Sequence, residues 1–390
     1  MNFFSGLDFF VYLFILLIPA VVLGIKGKSI KWYSFILSLF FIFKIYEGIQ
    51  LVYLIGYVVF SIDLIYGYLL LRKKIGRSKY LYFNALFLAL LPLLVYKLSL
   101  FFSSSLFGFL GISYICFRVV QTIIEIYDGV IDSIDIKQLF RFLLFFPSLS
   151  SGPIDRSRRF KEDEDKNLSK QEYLNLLGNG IYKLILGMFY KIVLSNIFNN
   201  ILQINFVGHY KPLFLIGYAY IYGLYMFFDF AGYSNMAIGT SYILGIKLPE
   251  NFNKPFLSID IKDFWNRWHM SLSTWFRDFV FSRFILTSTR NKWFKNRLTT
   301  ASIGLIVNML IMGIWHGVTF WYIIYGLYHG IILAVVEVYQ KKSKFYKNNK
   351  NKKWYIVLSW FININIVMFG FLIFSGYLVG LKELFINIFK

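Results

Sequence analysis

Long apolar runs separated by short basic loops dominate the pattern of this chain. A helix that crosses a bilayer needs about 20 predominantly apolar residues. Ten segments are candidate spans, namely 7–25, 32–43, 49–71, 82–98, 106–124, 181–198, 212–228, 301–314, 321–339 and 356–379. Further segments are too short or too polar to cross simply, so we expect about eleven spanning helices.

Composition and charge place these runs in a membrane protein. The chain is 58% hydrophobic and 16% charged, whereas soluble domains carry about 25% charged residues. The net charge of +21 could suggest a nucleic-acid partner, but the basic residues concentrate in short loops at 26–31, 72–79, 290–297 and 341–353. Such loops mark the cytoplasmic side of a membrane protein. We therefore predict an all-α polytopic membrane protein and no nucleic-acid partner.

The first apolar run also predicts the orientation of the chain. No basic residue precedes the run at 7–25, three lysines follow it, and it lacks a small-residue cleavage signal. This pattern indicates a retained first helix with the N-terminus outside. We find no internal repeat or soluble domain and predict one domain over 1–390, with N-terminal helices at 1–140, a core at 141–330 and C-terminal helices at 331–390. The single cysteine, Cys116, and four scattered histidines give no zinc spacing, so we predict no metal.

Three polar stretches interrupt the apolar pattern, and the first runs from Phe145 to Arg156. Two prolines and a glycine within seven residues forbid a regular helix there. Serines such as Ser150 and Ser151 can satisfy the freed backbone groups. We predict a re-entrant loop that also carries Asp155, with an ordinary surface loop as the alternative. The acidic run that follows, 162–165, is predicted to be a solvated loop.

The second polar stretch is Phe228-Asp-Phe-Ala-Gly-Tyr-Ser-Asn235. Asp229 follows an apolar run directly, so we expect it near a helix end or inside a polar cavity, and Tyr233 one turn later on the same face. A helix-end carboxylate at the membrane interface remains the alternative.

The third polar stretch, 263–278, has the period of an amphipathic helix. At about 100° per residue an apolar stripe forms, made of Trp265, Trp268, Leu272, Trp275 and Phe279. His269 and Ser273 lie one turn apart on its border. The predicted helix either lies on the lipid or lines a polar cavity, and its number of polar groups favours the cavity.

A histidine in an apolar stretch is the most conspicuous chemical candidate. His316 follows Trp315 in the run from Asn308 to Gly317, and a buried histidine there is costly. If 290–297 is cytoplasmic, His316 lies roughly 25 Å along an outgoing helix, towards the outer side of a core about 30 Å thick. Asn308 lies two turns below it on the same face, and Gly317 can end the helix directly after His316. A purely structural histidine remains the alternative.

Two motifs around these histidines carry a family resemblance. Phe264-Trp-Asn-Arg-Trp-His269-Met-Ser-Leu-Ser and Met312-Gly-Ile-Trp-His316-Gly resemble the two-histidine signature of membrane-bound O-acyltransferases. Phe228-Asp-Phe-Ala-Gly-Tyr-Ser-Asn, Leu248-Pro-Glu-Asn-Phe-Asn-Lys-Pro255, Ser151-Gly-Pro-Ile-Asp-Arg156 and Tyr325-Gly-Leu-Tyr-His-Gly330 are similar to its bacterial polysaccharide-modifying branch. Alginate-type members carry Pro-Leu-Gly-Gly where this chain has Phe281-Ser-Arg-Phe-Ile-Leu. Members of this branch either transfer D-alanyl groups to teichoic acid or O-acetylate a polysaccharide such as alginate. The difference from the alginate-type motif favours D-alanyl transfer for this chain.

The resemblance implies a fold, a donor and an acceptor. It implies a ring of helices around a thinned centre, with an outer funnel that meets a short cytoplasmic tunnel. The D-alanyl donor would be a phosphopantetheine thioester on a small acidic carrier protein, with no bound cofactor. Teichoic acid would be the final acceptor in a bacterial cell membrane, together with other membrane proteins of D-alanylation.

The resemblance also assigns roles to residues. His316 is taken as the catalytic base and His269 as the second site histidine. The substrate path is expected to include Asn308, Ser273, Trp315, Asp229, Tyr233, Ser150, Ser151, Asp155 and Arg156. A basic surface would dock the acidic carrier, namely Arg283, Ile285, Leu286, Arg290, Lys292, Lys295 and Arg297. These charges could instead serve topology alone.

Two other functions remain open from the sequence. One is O-acetylation of an exported cell-surface polysaccharide. The other is transport, with His316 and Asp229 as an intramembrane proton relay. A transporter of that kind predicts inverted repeats with paired broken helices, and the sequence contains none that we find.

Overall fold

The computed structural model describes residues 1–99 and 107–380, and the regular structure within them is helical. The helices of its first half are α1 Leu7–Ile25, α2 Lys31–Ile45, α3 Ile49–Ile75, α4 Lys79–Ser99, α5 Ile112–Asp128, α6 Ile136–Leu143, α7 Ser157–Asp165 and α8 Lys170–Met188. Those of its second half are α9 Ser195–Asn205, α10 Pro212–Ile243, α11 Ile261–Trp265, α12 Met270–Phe276, α13 Ser282–Arg290, α14 Arg297–His316, α15 Phe320–Lys342, α16 Lys344–Asn349 and α17 Lys353–Phe374. Short 3-10 turns occur at Phe146–Ser148 and Pro255–Leu257, and π turns at Phe189–Leu194 and Arg277–Phe281.

Eight helices in the described residues are long and apolar enough to cross a membrane. They are α1, α3, α4, the continuous helix Lys170–Asn205 that contains α8 and α9, α10, α14, α15 and α17. The prediction of an all-α polytopic membrane protein is confirmed. The predicted span at 32–43 corresponds to a helix of only 15 residues, and that at 106–124 to a helix of 17 residues that begins at Ile112. Residue 106 itself lies outside the described part.

The chain divides into two compact units. The first contains Met1–Met188 and Gly232–Glu250, and the second contains Phe189–Ala231 and Asn251–Lys390. The single catalytic domain expected from the sequence stays a prediction.

Close aromatic packing organises the first unit. A side chain at Gly24 would overlap the Tyr173 ring, so glycine allows this ring to reach α1. The Tyr173 hydroxyl then donates a 2.9 Å hydrogen bond to the carbonyl of Ile243 at the end of α10. The predicted solvated loop at 162–165 is wrong, because these residues end helix α7. There Glu164 is buried in an ion pair with Arg141, which compensates both charges.

Glycines also set the packing of the second unit. A Cβ at Gly313 would collide with the carbonyl of Tyr322, and a Cβ at Gly326 with the carbonyl of Met309. Helices α14 and α15 therefore pack backbone against backbone, as small residues permit in membrane helices. This contact fixes the end of α14 that carries His316.

Candidate functional site

His316 is the last residue of helix α14. The helix begins after Asn296, whose side chain accepts a 2.8 Å hydrogen bond from the backbone N–H of Thr299. It ends where Gly317 takes an extended conformation, as the sequence predicted. Aromatic rings surround the imidazole, with centroid distances of 4.5 Å to Trp315 and 5.0 Å to Phe374. His316 is therefore held at a helix end by aromatic contacts.

His269 lies at a break in the chain rather than along a helix. The predicted continuous amphipathic helix at 263–278 is wrong, because α11 ends at Trp265 and α12 begins at Met270. His269 itself has a left-handed conformation, with φ of 43°. The reason is tertiary, since the carbonyl of Asn251 accepts from Met270 N at 2.9 Å and its side chain accepts from the Ser271 hydroxyl at 2.6 Å.

This local conformation buries the His269 imidazole. The side chain is 4% exposed, and its ring meets Phe230 edge to face at 4.6 Å. His269 lies outside the eight candidate spans. Burial lowers its pKa well below the usual value, and the nearby His316 lowers it further. The imidazole is therefore neutral near pH 7, and its Nε2 atom has no hydrogen-bond partner among the described residues.

The two histidines are thus close enough to interact electrostatically. The fold brings together two histidines that are 47 residues apart in the sequence. Their interaction alone does not establish a chemical role. A neutral imidazole can accept a proton at one nitrogen and donate a hydrogen bond from the other.

A cavity of about 560 Å³ is lined by residues that lie near each histidine along the chain, although neither histidine lines it. Its wall includes Met270, which follows His269, and Met312, one turn before His316. Two predicted site residues, Asn308 and Ser273, line the same cavity. Asn308 is buried, and its Oδ1 atom has no hydrogen-bond partner within the described ranges. The cavity therefore offers polar groups within an otherwise largely apolar wall.

An ion pair forms part of the lining of this cavity. Lys262 pairs with Glu337, and its ammonium donates a 2.9 Å hydrogen bond to the side chain of Gln340. Both charged residues line the cavity, and their ion pair joins α11 to α15. Sequence reasoning missed this pair, because Lys262 and Glu337 are 75 residues apart and each fits its own helix as a surface charge.

His329 is a third buried histidine that the sequence analysis left without a role. It is fully buried, and the Trp265, Tyr325 and Tyr328 rings contact it at 5.3, 4.7 and 5.1 Å. A side chain at Gly370 would collide with its Nε2 atom. The only sequence signal was its place in the Tyr325-Gly-Leu-Tyr-His-Gly330 motif. Its contacts make it part of the wall that carries Trp265.

The segment 145–156 belongs to the first unit and is mostly buried without being helical. The Ser150 hydroxyl is hydrogen-bonded to Tyr233, whose hydroxyl also contacts the Ser151 backbone. Asp155 is 1% exposed and accepts a 2.8 Å hydrogen bond from Arg159. The alternative of an ordinary surface loop is therefore wrong, while the re-entrant depth stays a prediction.

A polar stripe on α5 accompanies this segment and was missed in an apolar run. Arg118, Gln121, Thr122 and Glu125 share one helix face and are all buried. Arg118 donates to the carbonyls of Phe142, Leu143 and Ser148, at 2.7 and 3.2 Å for the first two. The Nη1 atom of Arg156 lies 3.9 Å from the Oε1 atom of Glu125. The 3.6-residue period of the polar positions was the signal that could have identified the stripe.

Asp229 belongs to the second unit and lies in the interior of helix α10. The expectation that it marks a helix end is wrong, because the apolar run to 228 continues as helix to Ile243. Lys191 forms an ion pair with the Asp229 carboxylate, and the Ser195 hydroxyl donates to it at 3.4 Å. These partners allow the helix to continue through a charged position. Tyr233 follows one turn later on the same helix face.

The predicted docking residues lie on α13, in the loop after it and at the start of α14. Leu286 is 67% exposed, whereas Arg283 and Ile285 are partly covered. The remaining four members, Arg290, Lys292, Lys295 and Arg297, are exposed. Trp293, 54% exposed, adds an apolar group that the sequence analysis omitted. The described residues contain no cluster of His, Cys, Asp or Glu that could hold a metal ion.

Eight helices in the described residues are long and apolar enough to cross a membrane, which makes the chain a polytopic membrane protein. A profile of the membrane-bound O-acyltransferase family matches residues 93–379. The chain belongs to this family, and it is a membrane-bound acyltransferase.

Three relatives narrow the comparison. The teichoic acid D-alanyltransferase of Bacillus subtilis is 43% identical over 96% of this chain and 98% of the relative. That of Streptococcus thermophilus is 42% identical over 95% of this chain and 94% of the relative. A probable alginate O-acetylase of Pseudomonas syringae pv. tomato is 32% identical over 68% of this chain and 49% of the relative.

Proposed function

We propose that the chain transfers D-alanine from a carrier-protein thioester for D-alanylation of teichoic acid. The observation that carries the proposal is the similarity to relatives named teichoic acid D-alanyltransferase along nearly the whole chain. Similarity to the alginate acetylase is lower and covers about half of that protein. It supports O-acetylation only as a second candidate.

The chemical step assigns the base role to His316. Its neutral imidazole removes the proton of an acceptor hydroxyl, and the hydroxyl oxygen attacks the thioester carbonyl carbon. The tetrahedral intermediate collapses by breaking the carbon–sulfur bond. The thiolate then takes the proton from His316, so that atoms and charges balance. General-base catalysis of this kind contributes about 10²–10⁴-fold to a rate.

His269 supports this step as a neutral partner. Its lowered pKa keeps it uncharged near pH 7, so that it does not repel the imidazolium formed on His316. Its Nε2 atom is a candidate donor to the developing oxyanion. Asn308 and Ser273 on the cavity wall can orient the carbonyl, and loss of one such donor typically costs about 10²–10³-fold in rate.

The cavity that Asn308 and Ser273 line is the proposed path of the thioester arm. It follows α14 from Ala301 to Met312, within one turn of His316. If the basic loop 290–297 is cytoplasmic, this path opens to the cytoplasm and places the N-terminus outside. The acidic carrier would dock on the basic residues of α13 and the loop after it, beside Leu286.

The remaining predicted residues stay assigned to the substrate path as part of the proposal. For Trp315 the support is its contact with the His316 ring. For Asp229, Tyr233, Ser150, Ser151, Asp155 and Arg156 the support is the motif that contains each of them. Teichoic acid is the proposed final acceptor, reached with other membrane proteins of the same modification.

A donor-exchange experiment tests the proposed function. The purified full chain is incubated with carrier protein loaded with either labelled D-alanine or labelled acetate, together with membranes that contain teichoic acid. We expect carrier-dependent release of D-alanine and its appearance in an acceptor, with little acetyl transfer. Preferential acetyl transfer would contradict the proposal and support the second candidate.

A further inference from the structure

A second groove in the second unit has no histidine in its lining. It has a volume of about 320 Å³ and lies between helices α15 and α17, next to α16. Eight of its 17 lining residues are aliphatic, including Ile332, Val336, Ile362 and Ile366. It shares no lining residue with the cavity that Asn308 and Ser273 line. The acyl-transfer chemistry proposed above makes no use of it.

Polar and cationic groups define one end of this groove. Lys350, Tyr346 and Tyr355 line it there, and the Tyr355 hydroxyl donates to that of Tyr339 at 3.3 Å. Asp260 also lines the groove, but its carboxylate is occupied by backbone N–H groups and by the side chain of Gln340 at 2.8 Å. The polar end therefore offers a cation and hydroxyl groups to an incoming ligand.

The sequence around Lys350 strengthens this positive character. Residues 341–353 contain seven lysines and no acidic residue. None of these lysines forms an ion pair within the part of the chain that the structure describes. Phe345 within the segment and Trp354 directly after it are 55% and 49% exposed, as aromatic residues are at a membrane interface. A basic segment beside spanning helices attracts anionic lipid headgroups.

We propose that this groove binds an anionic phospholipid. An acyl chain would lie along the aliphatic wall between α15 and α17, and the phosphate would contact Lys350 with the tyrosine hydroxyls as additional donors. The lysines of 341–353 could attract anionic headgroups without a defined site. The groove adds an apolar slot that ends at the cation of Lys350. The inference concerns lipid selectivity and does not depend on the proposed D-alanyl transfer.

Lipid retention by the purified full chain tests this inference. The protein is reconstituted in vesicles with equal amounts of phosphatidylglycerol and phosphatidylcholine, extracted in mild detergent, and its bound lipids are counted by native mass spectrometry. We expect selective retention of phosphatidylglycerol. Equal retention of the two lipids would overturn the proposal.

Three variants separate the groove from the surrounding charge. Lys350→Gln removes the cation on the lining, and Val336→Phe fills the slot without changing charge, so each should lower phosphatidylglycerol retention severalfold. Lys347→Gln makes the same charge change at an exposed position outside the groove and should leave retention near that of the parent chain. Equal losses in Lys350→Gln and Lys347→Gln, or no loss in Val336→Phe, would contradict a specific site.

A further substitution guards against misfolding in the slot-filling variant. Size-exclusion profiles identify variants that lose their native state. If Val336→Phe does not yield folded protein, Ile366→Phe fills the slot from α17 and carries the same expectation. Retention by a folded Ile366→Phe protein at the parental level would overturn the proposed acyl-chain position.

Discussion

Arg118 in the first unit and His269 in the second are both buried polar side chains, but their surroundings differ. Arg118 is fully buried and donates hydrogen bonds to three backbone carbonyls and to the hydroxyl of Ser148. His269 is nearly as buried, and its ring contacts that of Phe230. Each side chain has one nitrogen without a partner among the described residues, Nε of Arg118 and Nε2 of His269, so the two differ in the hydrogen bonds that the guanidinium makes.

This difference gives Arg118 a structural role, whereas the role of His269 belongs to the proposed chemistry. The Arg118 guanidinium satisfies carbonyls at the end of α6 and in the turn that follows, so it holds the non-helical segment 145–156 in place. His269 satisfies no backbone group with its side chain and interacts with a second histidine.

Removal of Arg118 should have the largest effect on the stability of the protein. Arg118→Ala leaves three buried carbonyls without their donor, each of which costs about 1–3 kcal/mol. We expect a loss of several kcal/mol in stability, measured as a clear fall in thermal unfolding temperature in detergent. Arg158→Ala is the matched control, since its side chain is 57% exposed and lies 3.9 Å from Glu125. Equal unfolding temperatures for the two variants would contradict the structural role of Arg118.

Substitution of His269 should instead lower the transfer rate. His269→Gln keeps a polar side chain but removes the imidazole, and we expect a loss of about 10²–10³-fold in D-alanyl transfer with little change in unfolding temperature. If His269→Gln lowered the unfolding temperature as much as Arg118→Ala did, and its folded fraction retained the full transfer rate, the proposed role of His269 would be contradicted.

The pH dependence of stability offers a second measure of His269. Its pKa in the folded protein is lowered, so the unfolded chain, with a histidine pKa near 6.5, binds more protons in acid. The stability linked to His269 is therefore present above about pH 6.5 and decreases as the pH falls below that value. His269→Gln should reduce this acid sensitivity in unfolding curves recorded from pH 7.5 to 5. An unchanged pH profile would contradict the buried neutral state.

Substitution of Asp229 should have the smallest effect. Its carboxylate is 39% exposed and pairs with Lys191, and exposed ion pairs contribute about 0–1 kcal/mol. Asp229→Asn keeps the side-chain shape, so we expect activity within a few-fold of the parent chain and a small change in unfolding temperature. A complete loss of function in the folded variant would contradict this expectation and show that the charge of Asp229 is itself required, either on the substrate path or in a proton relay.

Helix ends that depend on local chemistry were predictable from the sequence. The apolar runs predicted the long helices, and Gly317 predicted the end of α14 at His316. The length of α10 was not predicted, because Lys191 and Ser195 compensate Asp229 from another helix. Apolarity alone had placed the end of that helix at residue 228.

The conformation of His269 could not be predicted from periodicity. The residues from 263 to 278 have a helical pattern, but hydrogen bonds to Asn251 and Asn253 break the helix before Met270. Asn251 was visible only as part of a motif, without a sign of its partners. The stripe with Arg118 was hidden for the opposite reason, because the aliphatic residues between its members made the run resemble a simple membrane span.

The central claim is that His316 is the base for acyl transfer, and one rate comparison tests it most directly. Single-turnover D-alanyl transfer from the loaded carrier is measured for the parent chain, for His316→Ala and for His209→Ala, which changes an exposed histidine outside the site. We expect a loss of about 10²–10⁴-fold for His316→Ala at unchanged unfolding temperature, and a parental rate for His209→Ala. A folded His316→Ala protein that transfers D-alanine at the parental rate would contradict the claim.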